Sequence, residues 1–186
     1  MYATEYHTPI VGTLTLTSDG EGLTGCWFEG VRHIGPAPVR ERLEGGDDLP
    51  ALRSACAWLD RYFAGERPDP LELALAAPGT EFQLLVRDAL LAIPYGQTTT
   101  YGAIARELEV KTGRRQSARA VGGAVGRNPL CVIVPCHRVI GSDGGLTGFA
   151  GGLERKVALL EHEHALGPGV RIAPGAGAPA SAGRAV

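Results

Sequence analysis

The sequence has no long apolar segment. Hydrophobic residues make up 44% of its 186 residues and charged residues 20%, values typical of globular proteins with a buried core. No apolar run reaches the roughly 18 residues that would suggest a membrane span. The first five residues, Met-Tyr-Ala-Thr-Glu, are neither basic nor strongly apolar, which argues against a secretory signal. We therefore expect a cytoplasmic protein with no membrane partner.

Cysteine is also scarce, and its spacing is irregular: Cys26, Cys56, Cys131 and Cys136. This is too little for a disulfide framework, and no C-x-x-C pair suggests a zinc site. We interpret Cys26 and Cys56 as small buried apolar residues. His7 and His33 do not complete a convincing ligand set with Cys26. The sequence therefore predicts no metal and no cofactor.

There is no overall excess of positive charge, because the formal net charge is −2 and the pI is about 6.2. The charge is uneven, however. Residues 41–88 contain ten acidic and five basic residues, whereas residues 101–138 contain seven basic and two acidic ones. A locally basic face can attract phosphates even on a slightly acidic protein. A solvated helical surface would have the same composition, so charge alone leaves both readings open.

The first part of the chain has the pattern of a small α/β domain. Alternating residues predict strands at 13–17 and 23–28, followed by a mobile surface loop at 35–50. Apolar residues at helical spacing predict a helix from Pro50 to about residue 64. A second alternation predicts a strand at 71–75.

The second part reads as mostly helical after a boundary at 78–79. Thr80 is a candidate N-cap for a helix to about residue 93, and two shorter helices are predicted at 101–108 and 117–125. The last two helices, with a polar connection and an arginine-rich second helix, resemble a helix-turn-helix unit. Any two short helices can give this pattern, so alone it is weak.

A fully apolar run at 130–134 predicts a buried strand that leads into Pro135 and Cys136. A glycine-rich stretch and a last helix from Leu153 follow. Glycine, alanine and proline dominate the remainder, which predicts a disordered tail. The predicted units are an N-terminal α/β domain at 1–77, a mostly helical C-terminal domain at 78–166 and the tail at 167–186.

Cys136 is the strongest candidate for chemistry. A cysteine followed by His137 and Arg138 sits in an electropositive setting, which lowers a thiol pKa and raises the fraction of nucleophilic thiolate. A packed cysteine beside an unrelated histidine would give the same tetrapeptide. The tetrapeptide alone leaves both interpretations open.

Several motifs in the second part occur in one order: Ile93-Pro94-Tyr95-Gly96, Thr100-Tyr101-Gly102, Ala118-Arg119-Ala120-Val121-Gly122, Asn128-Pro129, Val134-Pro135-Cys136-His137-Arg138-Val139-Ile140, Gly151-Gly152-Leu153, and Lys156 with Leu159-Leu160 and Glu163. Over about residues 80–166 the chain thereby resembles the O6-alkylguanine-DNA alkyltransferases. The resemblance implies an α+β protein. Its parts would be a small α/β, ribonuclease H-like N-terminal domain and a mostly helical domain with a winged-helix-like helix-turn-helix.

The resemblance also implies a reaction. An alkyl group would move from O6-alkylguanine, and also from O4-alkylthymine, in double-stranded DNA to Cys136 after nucleotide flipping. A thioether is a poor leaving group and no second nucleophile is apparent, so the transfer would be irreversible and stoichiometric. We expect a monomer in solution, and cooperative binding to DNA stays open.

Site residues follow from the matched motifs. Cys136 would be the acceptor, His137 would take its proton through a water, and Glu163 would orient His137. Tyr101 would donate a hydrogen bond to the departing guanine and also contact DNA, and Asn128 would brace the turn that carries Cys136. The lesion pocket would consist of Val134, Pro135, Phe149, Ala150 and Gly151.

The DNA contacts follow in the same way. Arg119 would enter the duplex in place of the flipped nucleotide. The small residues Ala120, Gly122 and Gly123 would allow close approach to the minor groove. Phosphates would be bound without sequence readout by Arg106, Lys111, Arg114 and Arg115.

The chain departs from the family's pattern at three positions. Phe149 stands where many relatives have tyrosine, and Ala150 where some have a hydroxyl residue, so both bear on lesion preference and alkyl size. Arg87 stands where tryptophan is frequent, which bears on packing of its helix. The resemblance assigns no role to Cys131.

Three other functions would each account for part of the sequence. A non-catalytic alkyltransferase-like protein would bind the lesion but lack the acceptor cysteine, which is present here. A cysteine–histidine hydrolase would turn over on esters or amides and would leave Arg119 unexplained. A transcriptional regulator would bind a specific DNA sequence and have no use for Cys136 and His137.

Overall fold

The computed structural model of the chain describes residues 1–30 and 48–171. The surface loop expected at 35–50 lies outside the described residues except for its last three, and so does His33. The tail expected at 167–186 lies outside them beyond residue 171.

The N-terminal region is a three-stranded antiparallel sheet with one helix packed against it. The strands are β1 (Tyr2–Thr8), β2 (Gly12–Ser18) and β3 (Leu23–Phe28), in that order across the sheet. β2 and β3 match the predicted strands. β1 was not predicted, because its sequence YATEYHT has almost no apolar alternation and its side chains are mostly exposed or half-buried.

Helix α1 (Pro50–Phe63) begins at a proline in its first turn, a position where the missing N–H costs no hydrogen bond. The helix packs on the sheet through one buried face: Leu52, Ala55, Trp58, Leu59 and Tyr62. The helix predicted from Pro50 to about residue 64 is therefore confirmed.

The strand predicted at 71–75 is wrong. The chain forms a short 3-10 helix at Pro70–Glu72, and Leu71 is 71% exposed. Asp69 Oδ1 accepts from the backbone N–H of Leu71 at 2.9 Å, and Glu72 Oε1 accepts from that of Asp69 at 3.2 Å. This reciprocal cap favours a helical turn over an extended chain. Only Leu75 retains a strand-like contact, an isolated bridge to Leu23.

The C-terminal region is mostly helical. Its helices are α2 (Glu81–Leu91), α3 (Tyr101–Thr112), α4 (Ala118–Val125) and α5 (Leu153–His162). Side-chain oxygens of Thr80, Thr100 and Ser117 cap the first three, and Gly113 ends α3 in the left-handed conformation at φ 67°. Helices α2, α3 and α4 pack against one another, and α3 and α4 form the predicted helix-turn-helix pair.

The buried strand predicted at 130–134 is wrong in form, although the segment is fully buried. Leu130 makes one isolated bridge to Cys26 of β3, and the chain then turns. Val132 lies at φ 71°, a region that side chains branched at Cβ rarely adopt. An apolar run without periodicity cannot distinguish a buried strand from a buried turn.

Two very short strands, β4 (Thr99–Thr100) and β5 (Val139–Ile140), pair in parallel. The pairing holds the start of α3 beside the segment that follows Cys136. Within the described ranges no helix is long and apolar enough to cross a membrane.

Backbone hydrogen bonds to β3 join the two regions. Leu23 N–H donates to Ala74 O at 2.7 Å within the N-terminal region, whereas Cys26 N–H donates to Pro129 O of the C-terminal region at 2.8 Å. Cys131 N–H returns a bond to Cys26 O at 2.9 Å. One continuous apolar core therefore includes residues of both regions.

Candidate active site

The buried turn that precedes Cys136 is held by the side chain of Asn128. Asn128 Nδ2 donates to Val134 O at 2.9 Å, and its Oδ1 accepts from the backbone N–H of Leu130 at 3.1 Å. Asn128 is itself buried and lies three residues after the end of α4. The amide thus joins both ends of the turn, and a one-turn 3-10 helix at Cys136–Arg138 follows.

His137 and Glu163 form a fully buried pair, with Nε2 of the histidine 2.8 Å from Oε1 of the carboxylate. Burial lowers the pKa of His137, although the hydrogen bond and charge of Glu163 oppose this. The imidazole is therefore neutral near neutral pH. Since an ionised carboxylate only accepts hydrogen bonds, the proton lies on Nε2. His137 Nδ1 has no hydrogen-bond partner in the described part of the chain, which leaves it as an acceptor.

Glu163 receives several further hydrogen bonds. Arg138 binds it with two nitrogens, Nε to Oε2 at 2.7 Å and Nη2 to Oε1 at 2.9 Å. Tyr62 donates its hydroxyl to Oε1 at 2.6 Å, and Gly96 N–H approaches Oε2 at 3.4 Å. Burial alone would raise the pKa of Glu163, but the hydrogen bonds and charges of His137 and Arg138 outweigh it and hold that pKa well below 4.5.

The environment of Cys136 favours its thiolate. A hydrogen bond from the Cys131 side chain lowers the pKa of Cys136 most, burial opposes this, and Asn128 and the charge of Lys156 lower it further. Lys156 is fully buried, and its Nζ donates to Val139 O at 2.6 Å and Thr147 O at 3.0 Å. Burial lowers the pKa of Lys156 to about 8, with Cys136 opposing the shift.

Tyr101 lies at the first position of α3, which the β4–β5 pairing holds next to the segment after Cys136. Its hydroxyl accepts a hydrogen bond from Thr147 Oγ1 at 3.3 Å. The Tyr101 ring lies beside Gly122 of α4, where an added Cβ would be 3.7 Å from the ring. Tyr101 is half-buried, so part of its side chain is open to solvent.

The predicted lesion-pocket residues divide into two groups. Val134 and Pro135 are buried in the turn before Cys136. Phe149 and Ala150 are half-buried, and Phe149 packs edge-on against Phe28 of β3 with ring centroids 5.6 Å apart. Gly151 is buried under the same ring, since an added Cβ would lie 2.4 Å from a Phe28 atom.

Apart from the half-buried Tyr101, the predicted DNA-binding residues lie on α3, on α4 and on the connection between them. The arginine and lysine residues of this set are all exposed, as are Ala120 and Gly123, while Gly122 is half-buried. The charged members are Arg106, Lys111, Arg114, Arg115 and Arg119.

Arg87, where the sequence departs from the family's pattern, lies on α2 beside a cavity of about 310 Å³. Its Nη1 donates to Ala77 O at 3.2 Å, across the junction between the two regions.

Sequence reasoning missed three contributors to this cluster and assigned Arg138 only a general electropositive role. Lys156 belonged to a matched motif but received no function, and Cys131 was noted only as a neighbour of Cys136. Tyr62 lies 101 positions from Glu163, so no local pattern could have identified it. For Arg138 the only signal in the sequence was its position directly after His137, which does not reveal its contact with Glu163.

Together these features define a class of protein, one with a buried and activated cysteine beneath a helix-turn-helix. Comparison with known proteins gives the family. A model described as the 6-O-methylguanine DNA methyltransferase DNA-binding domain matches residues 81–165. A second model, the ribonuclease-like domain of the same proteins, matches residues 1–77. The chain belongs to the 6-O-methylguanine DNA methyltransferase family.

Individual relatives are similar over most of their length. A methylated-DNA–protein-cysteine methyltransferase of Haemophilus influenzae is 42% identical over 163 residues, which are 88% of this chain and 86% of the relative. One from Mycobacterium tuberculosis is 44% identical over 158 residues, 85% and 90% of the two chains. The crystal structure of M. tuberculosis OGT in complex with DNA superposes with a TM-score of 0.74 at 42% identity, covering 91% of this chain and 96% of that one.

Proposed function

We propose that this protein repairs DNA by direct reversal, transferring an alkyl group from the O6 atom of guanine to its own Cys136. The observation that carries the proposal is the state of His137, which is neutral, bonded to Glu163 through Nε2 and unpartnered at Nδ1 within the described residues. A base prepared in this way beside a cysteine suits removal of a thiol proton.

The proposed reaction has one covalent step. His137 Nδ1 takes the thiol proton of Cys136 through a water, and Glu163 and Arg138 hold the imidazole in place. The sulfur attacks the alkyl carbon, an S–C bond forms, and the bond from carbon to O6 breaks. Its electron pair stays on the guanine, which Tyr101 stabilises by donating a hydrogen bond.

DNA is proposed to bind along α3 and α4. Exposed basic residues suit contact with phosphates. Gly122 and Gly123 have room for a side chain within the protein, since an added Cβ would lie 3.7 Å or 3.4 Å from its nearest neighbour. The fold therefore does not require glycine at these two positions. Close approach of the DNA minor groove to α4 would explain why both residues are small. Arg119 fills the space that the flipped nucleotide leaves.

The same pocket is proposed to accept O4-alkylthymine. The protein acts once per molecule, because a thioether does not leave and no second nucleophile is assigned to regenerate Cys136. We propose that it works as a monomer in the cytoplasm, where its four cysteines, which form no disulfides, stay reduced. The second candidate, a lesion-binding protein without transfer, is disfavoured because the acceptor cysteine is present and activated.

Intact-mass measurement tests the proposal. The protein is incubated with a duplex oligonucleotide containing one O6-methylguanine, and Cys136→Ala and Cys56→Ala serve as the test and control variants. The parent and Cys56→Ala should each gain about 14 Da, the mass of one methylene group, and stop at one addition. Cys136→Ala should gain nothing. Lesion binding without any mass gain in the parent would instead establish the lesion-binding module.

A further inference from the structure

The cavity of about 310 Å³ beside Arg87 lies at the junction of the two regions. The N-terminal region contributes Thr24 of β3 and Ala77 to its wall, and the C-terminal region contributes residues of α2, of α4 and of the segment after α4. Neither Cys136 nor Glu163 lines it. The fold therefore has a second space, which the proposed alkyl transfer does not use.

Two arginines line this cavity without an acidic partner. Arg87 of α2 donates through Nη1 to Ala77 O at 3.2 Å, while its buried Nε has no hydrogen-bond acceptor in residues 1–30 and 48–171. Arg127, which follows α4, donates through Nη1 to Gly123 O at 3.2 Å. Within those same ranges no aspartate or glutamate lines the cavity or forms an ion pair with either arginine. The wall therefore carries positive charge that the described protein does not balance.

Much of the remaining wall is apolar. Leu84, Val86 and Leu90 come from α2, Ala124 from α4, and Pro129 from the segment after α4. An apolar cavity of ~150 Å³ can hold benzene, so this larger one has room for a body of two rings. A guanidinium pairs well with a planar carboxylate, because its fork of N–H groups matches both oxygens. The wall thus suits an aromatic body that carries one carboxylate.

We propose that this cavity binds small aromatic carboxylates, with Arg87 as the main partner of the carboxylate. A DNA phosphate is the competing anion, since Arg127 is exposed and follows α4. The apolar wall and the half-buried position of Arg87 favour the aromatic carboxylate, because a hydrated phosphate gains nothing from apolar contact. This binding activity goes beyond the proposed DNA repair and does not depend on it.

The cavity also touches a support of the buried turn before Cys136. Asn128 lines the cavity, and its side chain binds Val134 O and the N–H of Leu130 at the two ends of that turn. A bound carboxylate would therefore lie against the residue that joins both ends of the turn. Its binding should be visible at the backbone N–H groups of residues 127, 128 and 130 as well as in α2.

A ¹H–¹⁵N NMR titration of the full chain without DNA tests the site. The probes are benzoate and 2-naphthoate, with 2-naphthamide as the neutral match and inorganic phosphate as an anion without a ring. Arg87→Met removes the charge and keeps the length of the side chain, whereas Arg87→Lys keeps the charge and loses the planar fork. Arg53→Met is the matched control, because Arg53 is an exposed arginine of α1 that does not line the cavity.

2-Naphthoate should bind with a dissociation constant of about 1 mM or below, the affinity that an ordinary ligand efficiency gives to about 13 non-hydrogen atoms. Binding should be about tenfold weaker for 2-naphthamide and for Arg87→Met, since each loses a charged hydrogen bond. Arg87→Lys should weaken it about threefold, and Arg53→Met should leave it unchanged. If Arg87→Met does not fold, Arg127→Gln at its exposed position should still weaken binding about threefold.

Equal binding of 2-naphthoate and 2-naphthamide, or an unchanged affinity in Arg87→Met, would overturn the proposal. The absence of shifts with both carboxylates at about 10 mM would do the same. If phosphate shifted the same N–H groups as strongly as 2-naphthoate, the two arginines would be assigned to a DNA phosphate instead. Because the titration contains no DNA, failure of alkyl transfer would leave its result intact, and the two proposals can fail separately.

Discussion

The two regions of the molecule contribute to the candidate active site in different ways. The proposed nucleophile Cys136 and the buried side chains of His137, Lys156 and Glu163 all come from the C-terminal region. The described part of the N-terminal region supplies a neutral phenol, Tyr62, the edge of β3, and the ring of Phe28. Cys136, His137 and Glu163 lie in one short stretch of the chain, whereas Tyr62, β3 and Phe28 are brought to the site from a distance by the fold.

The N-terminal region holds parts of the candidate site in place. Tyr62 reaches the same oxygen of Glu163 that His137 contacts. β3 supplies backbone partners on both sides of the turn that carries Cys131, through Cys26. We infer that the N-terminal region holds the proposed reactive groups in place without taking part in the chemistry. Four substitutions test this division and the proposed DNA contact.

Glu163→Gln should have the largest effect. The change leaves the buried charge of Arg138 without its partner, and breaking a buried ion pair from one side costs about 3–5 kcal/mol. Transfer should also slow sharply, because the amide can present its N–H₂ group to His137 and no longer balances a positive imidazole. Urea unfolding and single-turnover kinetics measure the two effects. A loss below 1 kcal/mol would mean that Arg138 finds another partner.

The same variant has a pH signature. The folded-state pKa of Glu163 lies well below 4.5, so its ionisation stabilises the fold above that ordinary value. This stabilisation is lost as the pH falls through the lower, folded-state value. The parent should therefore lose stability in acid more steeply than Glu163→Gln, as measured by unfolding free energy against pH. Parallel curves would contradict the assignment.

Tyr62→Phe should have a smaller effect that links the two regions. A hydrogen bond to a charged group contributes about 1.5–3 kcal/mol, and we expect the lower end because Glu163 keeps its other donors. Transfer should slow less than tenfold. Tyr6→Phe is the matched control, since Tyr6 donates to Asp60 at 2.9 Å in an exposed setting of the same region. If both variants lost an equally negligible free energy of unfolding, the hydrogen bond from Tyr62 to Glu163 would not stabilise the protein.

Gly122→Ala and Gly123→Ala should have the smallest effect on stability. Unlike the two variants above, they should stabilise the protein. Alanine in a helix interior is about 0.5–1 kcal/mol more stable than glycine, and both sites have room for a methyl group. Affinity for DNA should fall nevertheless, because the added methyl groups face the groove. Melting temperature and a DNA-binding titration separate these outcomes. Unchanged affinity at both positions would move the proposed DNA contact elsewhere.

The parts of the fold and of the candidate site that could be predicted from the sequence are those with local signals. The capping residue Thr80 predicted the start of α2, and the family's motifs pointed to Cys136 and His137 as the candidate reactive pair. In the fully buried segment 130–134 every residue is apolar, so the sequence has no periodicity that could distinguish a turn from a strand. A short cap at Asp69 and Glu72 outweighed the alternation at 71–75. Tyr62 could not be found, because its contact with Glu163 exists only in the folded chain.

The edge of β3 has a consequence for any attempt to divide the protein. Segments 74–76 and 129–131 cover that edge with backbone hydrogen bonds. Cutting the chain at 78 would uncover the bonds to the second segment, and an unpaired strand edge is a template for intermolecular pairing. The isolated N-terminal fragment should therefore tend to aggregate. The isolated C-terminal fragment should hold the buried turn before Cys136 less firmly. Solubility as well as reactivity depends on keeping the two regions together.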